Sequence, residues 1–169
     1  MLATLSQDLS QPEYIHVLIN PLPVYGLAIA ALGLIIALIQ RSRPSQVAML
    51  ALVVLCGVIA WPVAHYGEEG YDRVLSMADD QGQAWLKVHE HRADQLIWAF
   101  YVLAGLAAVA IVAPLKWPKL ATALALLTLL WSFAVLGMGG YIAYAGGKIR
   151  HREFRNEPAP VVPAEQDEH

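Results

Sequence analysis

Residues 120–145 read LATALALLTLLWSFAVLGMGGYIAYA and contain no charged residue. This run decides the fold. A bilayer core about 30 Å thick needs roughly 20 helical residues, and the run exceeds that requirement. Working outward, three more uncharged runs occupy residues 22–39, 47–64 and 96–113. These sit near the short end of the usable range of about 17–25 residues. In lipid an unpaired backbone group costs several kcal/mol, so each run is read as a helix. Arg41, Arg43 and Pro44 separate the first two runs, and Lys116, Trp117, Pro118 and Lys119 separate the last two. Connections this short make antiparallel helical hairpins. The expected fold is an all-α, integral membrane four-helix bundle.

Composition agrees. The 169 residues are 57% hydrophobic and 15% charged, with a mean hydropathy of +0.48. Soluble domains carry about 25% charged residues, and a small soluble domain could not hide so much apolar surface. A net charge of −3 and an isoelectric point near 6.0 give no footing for nucleic acid. The lone Cys56 excludes an intramolecular disulfide framework and multi-cysteine metal sites, and at mid-span it reads as a small apolar residue. Nucleophile elbows, phosphate loops and dinucleotide fingerprints are missing from the sequence. No span interior is charged, which argues against an ion pump or transporter.

The chain divides into a leader (1–15), a four-span membrane domain (16–151) and a tail (152–169) rich in proline and glutamate, expected to be disordered. The first run reads as a retained span: its leader is acidic and proline-bearing and lacks a basic n-region. Residues 66–95 read as a polar connection whose later part, near 84–91, could continue as the head of helix three. Four spans put both termini and this connection on one side, face A, and the two basic turns on the other, face B. Arg41 and Arg43 follow the first span with no Lys or Arg before it. The positive-inside rule then puts face B in the cytoplasm, although Lys148, Arg150, Arg152 and Arg155 after span four pull the other way. Small residues four apart, Gly26/Ala30, Ala104/Ala108, Gly139/Ala143 and Ala143/Gly147, offer faces for a homo-oligomer or a membrane-protein partner, or simply for packing within the bundle.

Five histidines flank the face A helix ends: His16 before span one, His65 closing span two, His89 and His91 opening span three, and His151 after span four. Carboxylates accompany them as His65-x-x-Glu68-Glu69 and His89-Glu90-His91 with Asp94. Imidazole with carboxylate suits a transition metal, bundle metal sites are built from facing helices, and two facing histidines can ligate haem iron. The candidate ligands are His65, Glu68, Glu69, His89 and Glu90, with His16 and His151 as completers. Two other readings stay open: interfacial polar residues with a solvated loop, and a proton-handling cluster.

The order of these features is similar to a bacterial family of small four-span membrane proteins, domain of unknown function 2231. The resemblance covers most of residues 16–148. It rests on His16 followed by Asn20-Pro21-Leu22-Pro23-Val24-Tyr25-Gly26 at the entry to helix one, and on Gly67-Glu68-Glu69 at the end of helix two. His89-Glu90 with Ala93 and the glycine-rich stretch from Gly137 to Gly147 complete it. Pro21 stands where many relatives carry histidine, and His91 is additional. The resemblance implies the bundle fold in a bacterial inner membrane and supplies no reaction; the periplasmic termini are expected from the first-span charge bias. With no nucleophile–base pair visible, the expected function is a non-catalytic accessory or assembly subunit. The alternative is a redox-associated membrane protein that binds a transition metal or haem b through the His/Glu cluster.

Overall fold

The computed structural model describes residue 7 and residues 9–162. Four helical segments, Pro12–Ile39, Arg43–Glu69, Asp80–Leu115 and Pro118–Arg150, are each long and apolar enough to cross a membrane. The described residues contain no strand, and the segments form an all-α four-helix bundle of two hairpins. Segment one packs on segments two and four, and segment three on the same two.

Each segment has a local cause. Segment one is α1 (Pro12–Ile19), a π-helical turn (Leu22–Gly26) and α2 (Leu27–Ile39). Pro21 and Pro23 lack the N–H that would bond the carbonyls four residues back, and the π turn absorbs the break. Segment two is α3 (Arg43–Glu69), with Ser42 as N-cap and Pro62 inside it. A short α4 (Tyr71–Met77) leads to α5 (Asp80–Leu96), capped by Asp79, whose carboxylate accepts the Gly82 N–H at 2.8 Å. The third segment continues as α6 (Trp98–Val112), and segment four is α7 (Ala121–Arg150).

The membrane core is built for close approach. Leu27, Leu34, Leu50, Leu103 and Val135 are buried among Ala30, Ala60, Ala99, Ala107, Ala110 and Ala125. At Gly57 a Cβ would lie 2.6 Å from the Phe100 carbonyl and 2.8 Å from the Ala104 Cβ, so α3 and α6 meet backbone to backbone there. Of the readings open for the small-residue pairs, packing within the bundle holds for three of their members. Gly26 abuts Cys56, Gly139 abuts Val24, and Ala104 faces Gly57. Those small residues are spent inside the bundle, because without a hydrophobic effect between helices close packing must hold them together.

Exposed aromatics mark two levels: Tyr25, Trp61, Trp98 and Tyr141 toward face A, and Trp117 with Leu115 at face B. Such residues favour membrane–water interfaces. Above the upper level lies a second core of Trp85, Leu86, Val88, Ala145 and Ile149, flanked by Tyr71, Val74 and Leu75. The expected polar connection 66–95 is therefore mostly helix. Segment two runs to Glu69 and α5 starts at Asp80, because the inward face of α5 is apolar enough to pack on the end of α7.

The described part of the tail, 152–162, makes contacts with the bundle. Arg155 donates to both Asp79 carboxylate oxygens at 2.7 and 2.9 Å and to the carbonyls of Lys148 and Ile149 at 2.7 and 2.6 Å. Ala159 and Val162 pack on the Trp85 core. Proline and glutamate lower the drive to collapse, but one guanidinium with four acceptors outweighs it. Residues 163–169, including His169, lie outside the described residues, as do residues 1–6 and 8 of the leader.

Candidate functional site

The described face A end brings two histidines together. His16 on α1 and His89 on α5 have ring centroids 6.3 Å apart, with planes at 84°. Each ring is tied to the other helix of its own hairpin. His16 Nδ1 lies 2.8 Å from the Val63 carbonyl on α3, and His89 Nδ1 lies 3.0 Å from the Ile142 carbonyl on α7. A carbonyl only accepts, so Nδ1 carries the proton in both rings, and in the neutral ring Nε2 holds the lone pair.

Glycine makes both contacts possible, and in the same way. A Cβ on Gly67, four residues after Val63, would stand 2.9 Å from His16 Nδ1; one on Gly146, four residues after Ile142, would stand 3.1 Å from His89 Nδ1. The two hairpins thus repeat one device: a histidine on the first helix, and an acceptor carbonyl plus a glycine one turn later on the second. A Cβ at either glycine would crowd the ring that bonds the carbonyl one turn earlier.

The remaining sequence candidates do not join this pair in a single ligand set. His65 is exposed, stacked on Trp61 at 5.4 Å, and its Nε2 lies 3.5 Å from Glu69 Oε1 one turn on. Glu68 is exposed on the same helix. Glu90 is exposed and accepts a hydrogen bond from Tyr71, whose hydroxyl is pushed up to about 12 by burial and then by the Glu90 charge. His151 pairs with Glu153 at 2.9 Å and stacks on Phe154. Among the described residues no group of three or more His, Cys, Asp or Glu stands close enough to hold an ion. The reason is helical phase. His65 and His89 close and open neighbouring spans, but only residues on the inward stripe converge, and His65 lies on the outward one.

Sequence reasoning missed three charged residues of the face A end. Arg92, nearly buried, donates to the Tyr141 carbonyl at 2.9 Å and lies 3.6 Å over the Tyr141 ring. Lys148, also buried, holds Nζ 4.3 Å over both Trp85 and Tyr144 and 3.5 Å from Glu157. Asp79 gathers Arg155 and Arg152. Its carboxyl is held below the usual range, first by the Gly82 N–H and then by Arg155. A signal for Arg92 was present: Trp85, Val88, His89 and Arg92 recur every three to four residues, the spacing of one helix face.

Compared with models of protein families, with curated proteins and with solved structures, the chain matches none.

Proposed function

We propose that the bundle is a non-catalytic, haem-carrying membrane subunit of a redox assembly, in which His16 and His89 would hold the haem iron. The observation that supports this reading is the spacing of two imidazoles, each pinned through Nδ1. A metal bonded at Nε2 lies about 3 Å from an imidazole centroid, since metal–nitrogen bonds run about 2.0–2.1 Å, so two rings across one ion stand about 6 Å apart. The observed spacing is 6.3 Å. Histidines that ligate metals donate their other ring N–H to a carbonyl or carboxylate, which fixes tautomer and orientation, and both rings here have such a partner. The donor set therefore fits a two-histidine haem and falls short of a His/Glu metal cluster. Bound haem would supply one-electron transfer. The chain's own part is to hold the two nitrogens through Val63 and Ile142 and to place Arg92 one turn from His89.

The membrane reading extends to orientation. Face B inside and both termini outside is supported by the first-span charge bias. The opposing cations Lys148, Arg152 and Arg155 are each engaged by a carboxylate of the face A cap. Membership of the family named domain of unknown function 2231, with its bacterial inner membrane location, is proposed on the same footing: its shared elements, Gly67-Glu68-Glu69 and His89-Glu90, border the two rings.

Titration of the purified full chain with haemin tests the function. A Soret band with a six-coordinate, low-spin spectrum is expected, lost in His16→Ala and in His89→Ala while circular dichroism stays helical. No haemin-induced band, or bands unchanged in both variants, would refute it. A second reading, an accessory subunit that docks a partner helix, is favoured by the outward stripe of Gly137, Gly140 and Ala143, where an added Cβ on either glycine meets nothing within 4 Å. Co-purification lost in Gly140→Leu, with haemin binding absent, would select it.

A further inference from the structure

The face B end carries charge without counter-charge. Residues 14–67 and 95–152 contain no Asp or Glu, yet the two face B turns hold Arg41, Arg43, Lys116 and Lys119. Every described carboxylate lies toward face A, so no acid among the described residues reaches these cations across the membrane core.

Between the turns lies a cleft of about 450 Å³, lined by Arg41, Arg43, Gln46, Pro114, Pro118 and Thr122 among others. Arg43 reaches across from α3 to the end of α6, where its Nη2 donates to the carbonyls of Ala110 at 2.9 Å and Ile111 at 3.2 Å. Pro114, four residues after Ala110, has no N–H to give that carbonyl, so Arg43 replaces the missing helical donor. The other nitrogen, Nη1, is buried and has no acceptor among the described residues. A buried donor without an acceptor is rare in native structures.

Arg41 adds a second cost. Its φ is 54°, the left-handed region. The Arg41 N–H bonds the Leu38 carbonyl at 3.1 Å and the Ser42 N–H bonds the Ala37 carbonyl at 3.0 Å, the paired bonds of a helix C-terminus that usually closes on glycine. An arginine accepts this strained position and lines the cleft. Strained non-glycine positions concentrate where a side chain is used.

We infer that the cleft between the two face B turns binds a phosphate oxyanion, held by Arg41 and Arg43 with Gln46 and Thr122 at hydrogen-bonding positions around it. The oxyanion supplies the acceptor that Arg43 Nη1 lacks and the counter-charge that the sequence omits. At this depth, level with exposed Trp117 and Leu115, the phosphate is carried by an anionic phospholipid headgroup or is free in solution. Basic pockets between spans take anionic headgroups by the same chemistry.

Native mass spectrometry of the full chain in neutral detergent, with phosphatidylglycerol or phosphatidylcholine added at equal concentration, tests this. The parent retains phosphatidylglycerol in preference. Arg43→Gln weakens retention about fivefold, the effect of one basic residue at a membrane surface. Because Arg43 also closes α6, Arg41→Gly keeps the test decisive. It relieves the backbone, so it folds at least as well as the parent, and it loses retention by a similar factor. Lys116→Gln, outside the cleft lining, loses far less. If excess inorganic phosphate alone raises the melting temperature of the parent and not of Arg41→Gly, the oxyanion site stands and its occupant is free phosphate. Equal retention of both lipids with no phosphate effect overturns the proposal, as does equal loss in Arg41→Gly and Lys116→Gln.

Discussion

The two ends of the bundle solve the same problem in opposite ways. Both must finish four helices at a membrane surface. The face A end extends them into water and builds a second core around Trp85, tied by carboxylate–guanidinium contacts such as Asp79 with Arg155 and Glu13 with Arg73. The face B end stops within a few residues, in one glycine-less helix closure and one proline-bounded turn, with cations and no acids. At face A the side chains of His16, His89 and Arg92 all end on backbone carbonyls, while the buried Trp85 indole N–H has no acceptor among the described residues. The short end leaves Arg43 half-satisfied. Where the helices continue, a facing helix offers carbonyls to a ring or guanidinium; at the short end the Ala110 and Ile111 carbonyls take one Arg43 nitrogen and leave the other over.

Breaking the face A core should give the largest effect. Trp85 is 1% exposed, and its truncation to Ala should cost about 3–5 kcal/mol. Chemical denaturation in detergent should show an early loss of the cap while the spans stay helical. A single transition displaced as a whole would mean the ends are not separable. In the membrane core between them, Gly57→Ala places a methyl against backbone and should cost about 1–3 kcal/mol, read as a lower melting temperature of the whole chain.

The tail clamp sharpens the contrast through pH. The carboxyl of Asp79 lies below its ordinary value of 3.8 in the folded chain. The unfolded chain therefore binds the proton more readily, so the clamp's contribution is complete above pH 3.8 and is lost as pH falls through the folded value. An acid-active protease should cut between residues 152 and 162 faster at pH 3 than at pH 6, and Asp79→Asn should cut fast at both. Equal cutting of the parent at both pH values would remove Asp79 from the clamp. The smallest effect belongs to face B: Arg41→Gly, freed from the left-handed penalty, should gain up to about 1 kcal/mol in neutral detergent. A loss instead would mean that the Arg41 side chain holds the turn even without an anion.

Much of this was legible beforehand. The four uncharged runs, the two basic turns and the continuation near 84–91 follow from hydropathy and spacing, because lipid forces backbone pairing within each helix and so makes the span a local property. His16 and His89 were also among the candidates, but their partnership was not distinguished from that of His65 and Glu68. Spacing along a chain states which residues share a face; it does not state which way that face turns once proline and a π turn have shifted the phase of segment one. Nor could composition show that Arg155 would find four acceptors and fold the tail back, or that Gly67 and Gly146 would each clear room for a ring from another helix. Those contacts join residues 47, 53 and 76 positions apart. The amino-acid order by itself determined how many helices are long and apolar enough to cross a membrane, since that depends on the length of each uncharged run. Which imidazoles face each other, and which cations go without a partner, was decided only by helix against helix, where a single glycine or proline changes the distance between side chains from different spans.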